Sequence, residues 1–289
     1  MVRLYLMGEK GLIVLKHILS YKSIINGIVG SRDKNVQNDY YDEIRHFCVE
    51  NGIPFYDKSE NPALESKYQL ALGWRWMIPQ SQNTQLIVLH DSLLPKYRGF
   101  APLPNMLINH EPAIGVTALF ASDEYDKGDI IQQKSIEINY PIRINDAISI
   151  VSRLYADIVS SILEMVLVGS EIQSVPQTES EASYSLWRNE EDYAIDWTKD
   201  ATYIQQFVYS LGFPYKGAST QVDGVKYRIL DCELVADVKI ENRDPGKVIF
   251  MKDGYPTIVC GSGLLKITKM ETEDGVSCLP MNKFRVWFK

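Results

Sequence analysis

The chain has 289 residues, 45% of them hydrophobic and 23% charged, with a net charge of −7 at pH 7 and a pI near 5.2. Its apolar runs stop short of the ~20 residues that span a bilayer, which argues against a membrane span, and the acidic balance argues against a polynucleotide held by phosphate contacts. Such a length exceeds one average domain and leaves room for a main domain with an appendage.

Residues 2–7 are apolar and β-prone, Gly8 and Gly11 permit a turn, and Leu12, Leu15, Ile18 and Leu19 recur at helical spacing. The opening reads as strand, turn and helix rather than as a signal peptide, since no small-residue cleavage pattern follows. A strand near 24–29, a helix near 40–50 and strands near 68–72 and 86–89 continue the alternation. This pattern predicts an α/β main domain with a mostly parallel, Rossmann-like sheet, in which ligands gather beyond the carboxyl ends of the strands. His90 stands just after one of those strands. Asn145 or Asp146 can cap a long helix carrying Val151, Tyr155, Ile158 and Ile162, which ends near Gly169. A polar stretch from Gln173 to Ser183 follows, and short strands punctuated by Gly and Asp come after it. The expected division is a main domain over 1–170, a connecting segment over 171–203 and a small β-rich domain over 204–289. Cys48, Cys232, Cys260 and Cys278 contain no C-x-x-C pair. They give no support to a metal site and fit a reduced, cytoplasmic compartment.

The chemistry concentrates in Leu89-His90-Asp91-Ser92-Leu93-Leu94-Pro95-Lys96-Tyr97-Arg98-Gly99, followed by Gly115-Val116-Thr117 and Asp126-Lys127-Gly128-Asp129-Ile130. A histidine at a strand's end, before a Pro and Gly turn, faces a crevice; alone it is more often structural than catalytic. The whole set, in this order and spacing, resembles the formyltransferases that use 10-formyltetrahydrofolate. Their signature is His-x-Ser-Leu-Leu-Pro-x-x-Arg-Gly, then Gly-Val-Thr, then Asp-x-Gly-x-Ile. The likeness continues through Asp192–Trp197 and 214–218 into 245–265, which look like the connecting segment and OB-like C-terminal barrel of tRNA- and sugar-modifying members.

The resemblance implies that His90 and Asp126 are catalytic, with His90 moving protons or bonding the oxyanion and Asp126 orienting it. It implies a folate pocket at Trp74, Trp76, Met77 and Ile78, and acceptor contacts at Ser92, Arg98, Trp187 and Arg188. The formyl donor would be 10-formyltetrahydrofolate, without a metal; a homodimer is compatible with the family. Two positions depart from the pattern. Val88 replaces an asparagine that helps bind the formyl oxygen, and Leu119 replaces a histidine found in many members. Loss of one oxyanion donor typically costs ~100–1000-fold in rate, so another donor, among them Ser92, a backbone amide or Asn105, would have to substitute. The relatives differ in acceptor: methionyl-tRNA, a nucleotide-linked amino sugar or glycinamide ribonucleotide. The short Ser31–Tyr41 segment lacks a basic insertion, which favours the amino sugar. A methionyl-tRNA formyltransferase and a non-catalytic folate- or sugar-binding relative are the alternatives.

Overall fold

The computed structural model describes residues 1–60, 62, 65–78 and 83–289. They form two compact units, the first built from Met1–Leu103, Pro112–Ile138 and Asp146–Leu186, the second from Pro104–Glu111, Asn139–Asn145 and Trp187–Lys289.

In chain order the first unit opens with β1 (Val2–Leu6), α1 (Gly8–His17), β2 (Ile25–Gly30), α2 (Tyr41–Glu50), β3 (Phe55–Asp57), β4 (Tyr68–Leu72) and β5 (Gln85–His90). It continues with β6 (Arg98–Gly99), the start of α3 (Pro102–Ile108), β7 (Ala113–Phe120), β8 (Ile130–Glu137), most of α4 (Ile144–Leu167) and β9 (Tyr184–Ser185). Seven strands form one sheet in the order β3-β2-β1-β4-β5-β7-β8. The first five pair in parallel, as the strand and helix alternation predicts. β7 adds to the β5 edge antiparallel, and β8 pairs antiparallel with β7 because the direct connection over 121–129 returns the chain without a crossover helix. Every residue of β1 and of β4 is buried, so both faces of the sheet centre are covered.

Side chains alternate between those faces. Leu6 points toward α1 and α2: a Cβ at Gly11 of α1 would stand 3.0 Å from Leu6 Cβ and 3.4 Å from Ile44 of α2. On the opposite face the pairing register aligns Val29, Tyr5, Ala71, Val88 and Leu119 in one row across β2, β1, β4, β5 and β7. Val88 and Leu119, the two departures from the family pattern, are direct cross-strand partners. Tyr5, Val29, Ala71, Ile78 and Leu86 form an apolar cluster there, with Trp74, Val88 and Ala121 packed against it.

The second unit contains α5 (Ala201–Ser210) and an antiparallel sheet of β10 (Ala218–Val222), β11 (Val225–Val235), β12 (Val248–Lys252), β13 (Tyr255–Val259) and β14 (Leu264–Thr272), in the order β10-β11-β14-β13-β12. Asp200 caps α5 by accepting the Tyr203 N–H at 2.9 Å. Its core includes Ile195, Trp197, Ile204, Val208, Ile229, Ile258, Ile267 and Phe288. Ile195 and Trp197, ahead of α5, are buried in that core and lie in this unit's stretch from Trp187 to Lys289. Residues near the chain's last position bridge both sheet edges: Phe288 pairs with Val222 after β10's other residues, and Trp287 with Lys247 beside β12. Among the described residues no helix is long and apolar enough to cross a membrane, and no cluster of three or more metal-ligating side chains occurs.

Candidate active site

The loop leaving β5 is fixed by a fully buried hydroxyl. Thr117 on β7 donates to Ser92 O at 2.7 Å and accepts from Leu94 N–H at 3.1 Å and from Gln133 Nε2 at 2.8 Å. One donor and two acceptor sites are all a threonine hydroxyl has, so Thr117 is saturated by the scaffold. Ser92, also fully buried, donates to Lys96 O at 2.6 Å and closes the turn. Neither hydroxyl is available to a substrate. The reading of Ser92 as an acceptor contact therefore has no exposed atom to act through.

His90 ends β5 opposite Thr117 and is 8% exposed. Its Nε2 lies 2.8 Å from Tyr97 O. A carbonyl only accepts, so Nε2 carries hydrogen and donates. Nδ1 lies 3.5 Å from Asp126 Oδ1. The other carboxylate oxygen of Asp126 accepts the Gly99 N–H at 2.9 Å. Asp126 itself sits in the left-handed region with φ of 57°, a conformation aspartate tolerates better than most residues. Gln177 holds it there, its Nε2 donating to Asp126 O at 2.7 Å and to Gly128 O at 2.8 Å. Both glycines of the motif are sterically required: a Cβ at Gly128 would fall 1.7 Å from Phe120 O, and one at Gly99, where φ is 100°, 2.7 Å from Ser185 O.

Behind His90, on the opposite face of the sheet, Asp91 meets the Lys10 ammonium of α1 and the Tyr155 hydroxyl of α4, which donates to Asp91 Oδ1 at 2.6 Å. Burial pushes the Asp91 carboxyl up, but Lys10 and the Tyr155 hydroxyl outweigh it and hold the group below the ordinary carboxylate value. Burial first, and Asp91 next, hold the Tyr155 phenol well above its ordinary value, which keeps it a donor. Sequence reasoning missed Lys10, Tyr155 and Gln177, because their partners lie far away in the chain and no local motif marks them.

Arg98 is 1% exposed. Its Nε and one terminal nitrogen donate to Gln177 Oε1 at 3.1 and 2.9 Å, and the other donates to Glu179 at 2.8 Å and to the Tyr184 hydroxyl at 3.3 Å. The guanidinium clamps residues 177–184 onto β6, which pairs with β9. It is committed to that ion pair rather than presented to an anion. Of the four residues expected to form a folate pocket, Trp74, Met77 and Ile78 line a cavity of about 160 Å³ together with Tyr5, Val29 and Lys58. Trp76 stands outside this lining, with the Lys58 ammonium 3.6 Å from its ring centroid. Trp187 and Arg188 belong to the second unit: Trp187 is exposed, and Arg188 donates to Asn105 Oδ1 and to Asp192 O. Burial lowers the Arg188 value.

Residues 66–152 match the formyl transferase domain, and residues 188–283 match the formyl transferase C-terminal domain. The chain belongs to the formyl transferase family. A methionyl-tRNA formyltransferase of Syntrophomonas wolfei is 27% identical over 198 residues, 68% of this chain and 62% of that protein. HypX from Aquifex aeolicus, solved with tetrahydrofolic acid, superposes with a TM-score of 0.64 at 20% identity over 93% of this chain and 44% of its own. An N-formyltransferase from Helicobacter canadensis, solved with folinic acid and dTDP-3-aminofucose, superposes with a TM-score of 0.68 at 16% identity, over 92% of this chain and 97% of its own. The chain thus spans under two thirds of the tRNA-acting relative and under half of HypX, and its fold is that of the formyltransferases.

Proposed function

We propose that this formyl transferase family member moves a formyl group from 10-formyltetrahydrofolate to the amine of a nucleotide-linked amino sugar. The observation that carries the reading is His90 at the carboxyl end of β5, 3.5 Å from an Asp126 whose second oxygen is held by the Gly99 N–H. The cavity beside Tyr5 and Trp74 supports a folate, since the buried Trp74 Nε1–H has no acceptor among the described residues and a ligand atom would complete it. Support for the sugar comes from likeness along nearly the whole length of a sugar-bound neighbour. Arg32, the arginine of the short Ser31–Tyr41 segment, is also committed to Asp39 and Asp42 rather than free for phosphates.

In this reaction the amine nitrogen bonds to the formyl carbon, the bond from that carbon to the folate nitrogen breaks, and the amine's proton ends on the departing nitrogen. His90 and Asp126 are the groups placed to carry it. The His90 Nε2–H is engaged by Tyr97 O, so the ring has to release that carbonyl before it can donate to the oxyanion or relay the proton. Val88 and Leu119 supply no donor to the formyl oxygen. That paired loss favours one second reading, a binding protein of the same fold without turnover.

The test is product mass from parallel incubations with 10-formyltetrahydrofolate and either nucleotide-linked amino sugars or methionyl-tRNA. Formylated sugar supports the proposal, efficient formylation of charged tRNA alone overturns the acceptor, and binding of folate with no product from either establishes the second reading. Placement in a cytoplasmic compartment, the residue 1–170 catalytic domain and an OB-like closure of the second unit's sheet belong to the same proposal.

A further inference from the structure

From the exposed rings beside the reacting pair we infer that Phe100 and Tyr125 form a stacking floor for the carbohydrate ring that bears the acceptor amine, which rests on the amino-sugar reading above. Phe100 directly follows Gly99, Tyr125 directly precedes Asp126, and the Gly99 N–H is bonded to Asp126. The two rings are therefore tethered to the two ends of one hydrogen bond. They remain 52% and 67% exposed, with centroids 6.1 Å apart and planes at 51°, so each still offers a face to solvent.

The backbone that carries both rings is held on each side. Phe100 N–H donates to Ser185 O at 3.0 Å, and Ser185 Oγ donates to Phe100 O at 2.7 Å. On the other side, Asp126 O is held by Gln177 at 2.7 Å. Tyr184, 59% exposed, has its hydroxyl held by Arg98 at 3.3 Å. None of these contacts uses the Phe100 or Tyr125 ring faces.

Position in the sheet decides which substrate they meet. The cavity lined by Tyr5, Val29 and Trp74 lies on the β2, β1 and β4 side of β5, whereas Tyr125 lies in the connection from β7 to β8 on the other side. A two-substrate transfer needs one ligand from each flank to converge on His90. With the donor on the cavity flank, the acceptor falls on the aromatic flank. Consecutive Cα atoms are about 3.8 Å apart, so a ring one residue from Gly99 or Asp126 contacts the part of the acceptor next to its amine, namely the sugar. Aromatic faces suit the C–H face of a pyranose, and the ion-paired Lys127 and Glu124 beside Tyr125 provide polar partners for its hydroxyls.

The experiment is steady-state kinetics of wild type, Phe100→Ala, Tyr125→Ala and Phe100→Tyr with a panel of dTDP- and UDP-linked 3- and 4-amino sugars and 10-formyltetrahydrofolate. Each alanine variant should raise the KM for the best sugar by about 10-fold and leave the KM for the formyl donor within about 2-fold, while Phe100→Tyr retains wild-type values within about 3-fold. Thermal melting should stay cooperative, because the truncated rings are more than half exposed. A sugar KM unchanged in both alanine variants, or a rise confined to the donor KM, overturns the stacking floor while leaving the activity intact. Wild-type protein that formylates no panel member overturns the amino-sugar reading and this inference with it, an outcome visible before any variant is made.

Discussion

Two carboxylates flank the end of β5, and they are built for opposite purposes. Asp91, on the helical face, is neutralised by the Lys10 ammonium and a phenol that stays protonated. Asp126, on the other face, has a backbone N–H and an imidazole and no lysine or arginine ion pair among the described residues. A carboxylate with a full counter-charge contributes stability and is chemically quiet, whereas one held only by a neutral donor and a histidine keeps charge available to a reaction. The comparison teaches that two acids near one strand end can divide structure from chemistry by the partners each is given.

The largest expected effect tests the structural half. Asp91→Asn should cost about 3 kcal/mol of stability in urea unfolding, because it leaves the Lys10 ammonium buried without its partner. Adding Lys10→Met should recover part of that loss. The folded Asp91 carboxyl lies below its ordinary value, so its stabilisation is complete above about pH 4 and fades as pH falls through the folded value. The substitution should flatten that acid limb. An unchanged limb would place the acid sensitivity elsewhere.

Next in size is the chemical half. His90→Ala should lower kcat by about 100-fold or more, equivalent to about 2.7 kcal/mol, while unfolding remains cooperative. Folded His90→Ala protein with near-wild-type turnover would remove His90 from the mechanism. Smaller again, Val88→Asn should destabilise by about 1–2 kcal/mol and slow the reaction, since an amide would enter the apolar row opposite Leu119. A maintained or faster rate would mean that the valine is a tolerated loss rather than part of a repacked wall. The smallest effect is Asp126→Asn: about 10-fold in kcat, with little change in melting, because an asparagine oxygen can still accept the Gly99 N–H. If its melting temperature fell as far as that of Asp91→Asn, the contrast between the two acids would collapse.

The parts of this division that follow from local pattern were legible in the sequence. The parallel strands from β1 to β5, the long helix α4 and the position of His90 at a strand's end all rest on periodicity and turn chemistry within short windows. Arg98 shows the opposite case. Its fork reads equally well as an anion ligand or an ion pair, and its partners Gln177, Glu179 and Tyr184 lie 79 to 86 residues away. Lys10 and Tyr155 are hidden for the same reason, since sequence separation erases their shared contact with Asp91. Trp74 and Trp76 illustrate a finer limit: their rings touch edge to face with centroids 5.1 Å apart, yet Trp74 lines the cavity while Trp76 lies beneath the Lys58 ammonium.

In the second unit, the stretch around Trp287 and Phe288 pairs with Lys247 on one side and with Val222 on the other, and Gln221 and Lys289 exchange backbone bonds at 2.8 and 2.9 Å. It works as a seam, and a seam protects two borders at once. Protein shortened ahead of Val286 should therefore expose two unpaired strand edges in a single molecule, which makes each copy able to join a neighbour at both ends. The expected outcome is open-ended growth rather than a discrete dimer, visible as light scattering that climbs with concentration. Shortened protein that stays monodisperse would show that the borders are guarded by something other than these residues.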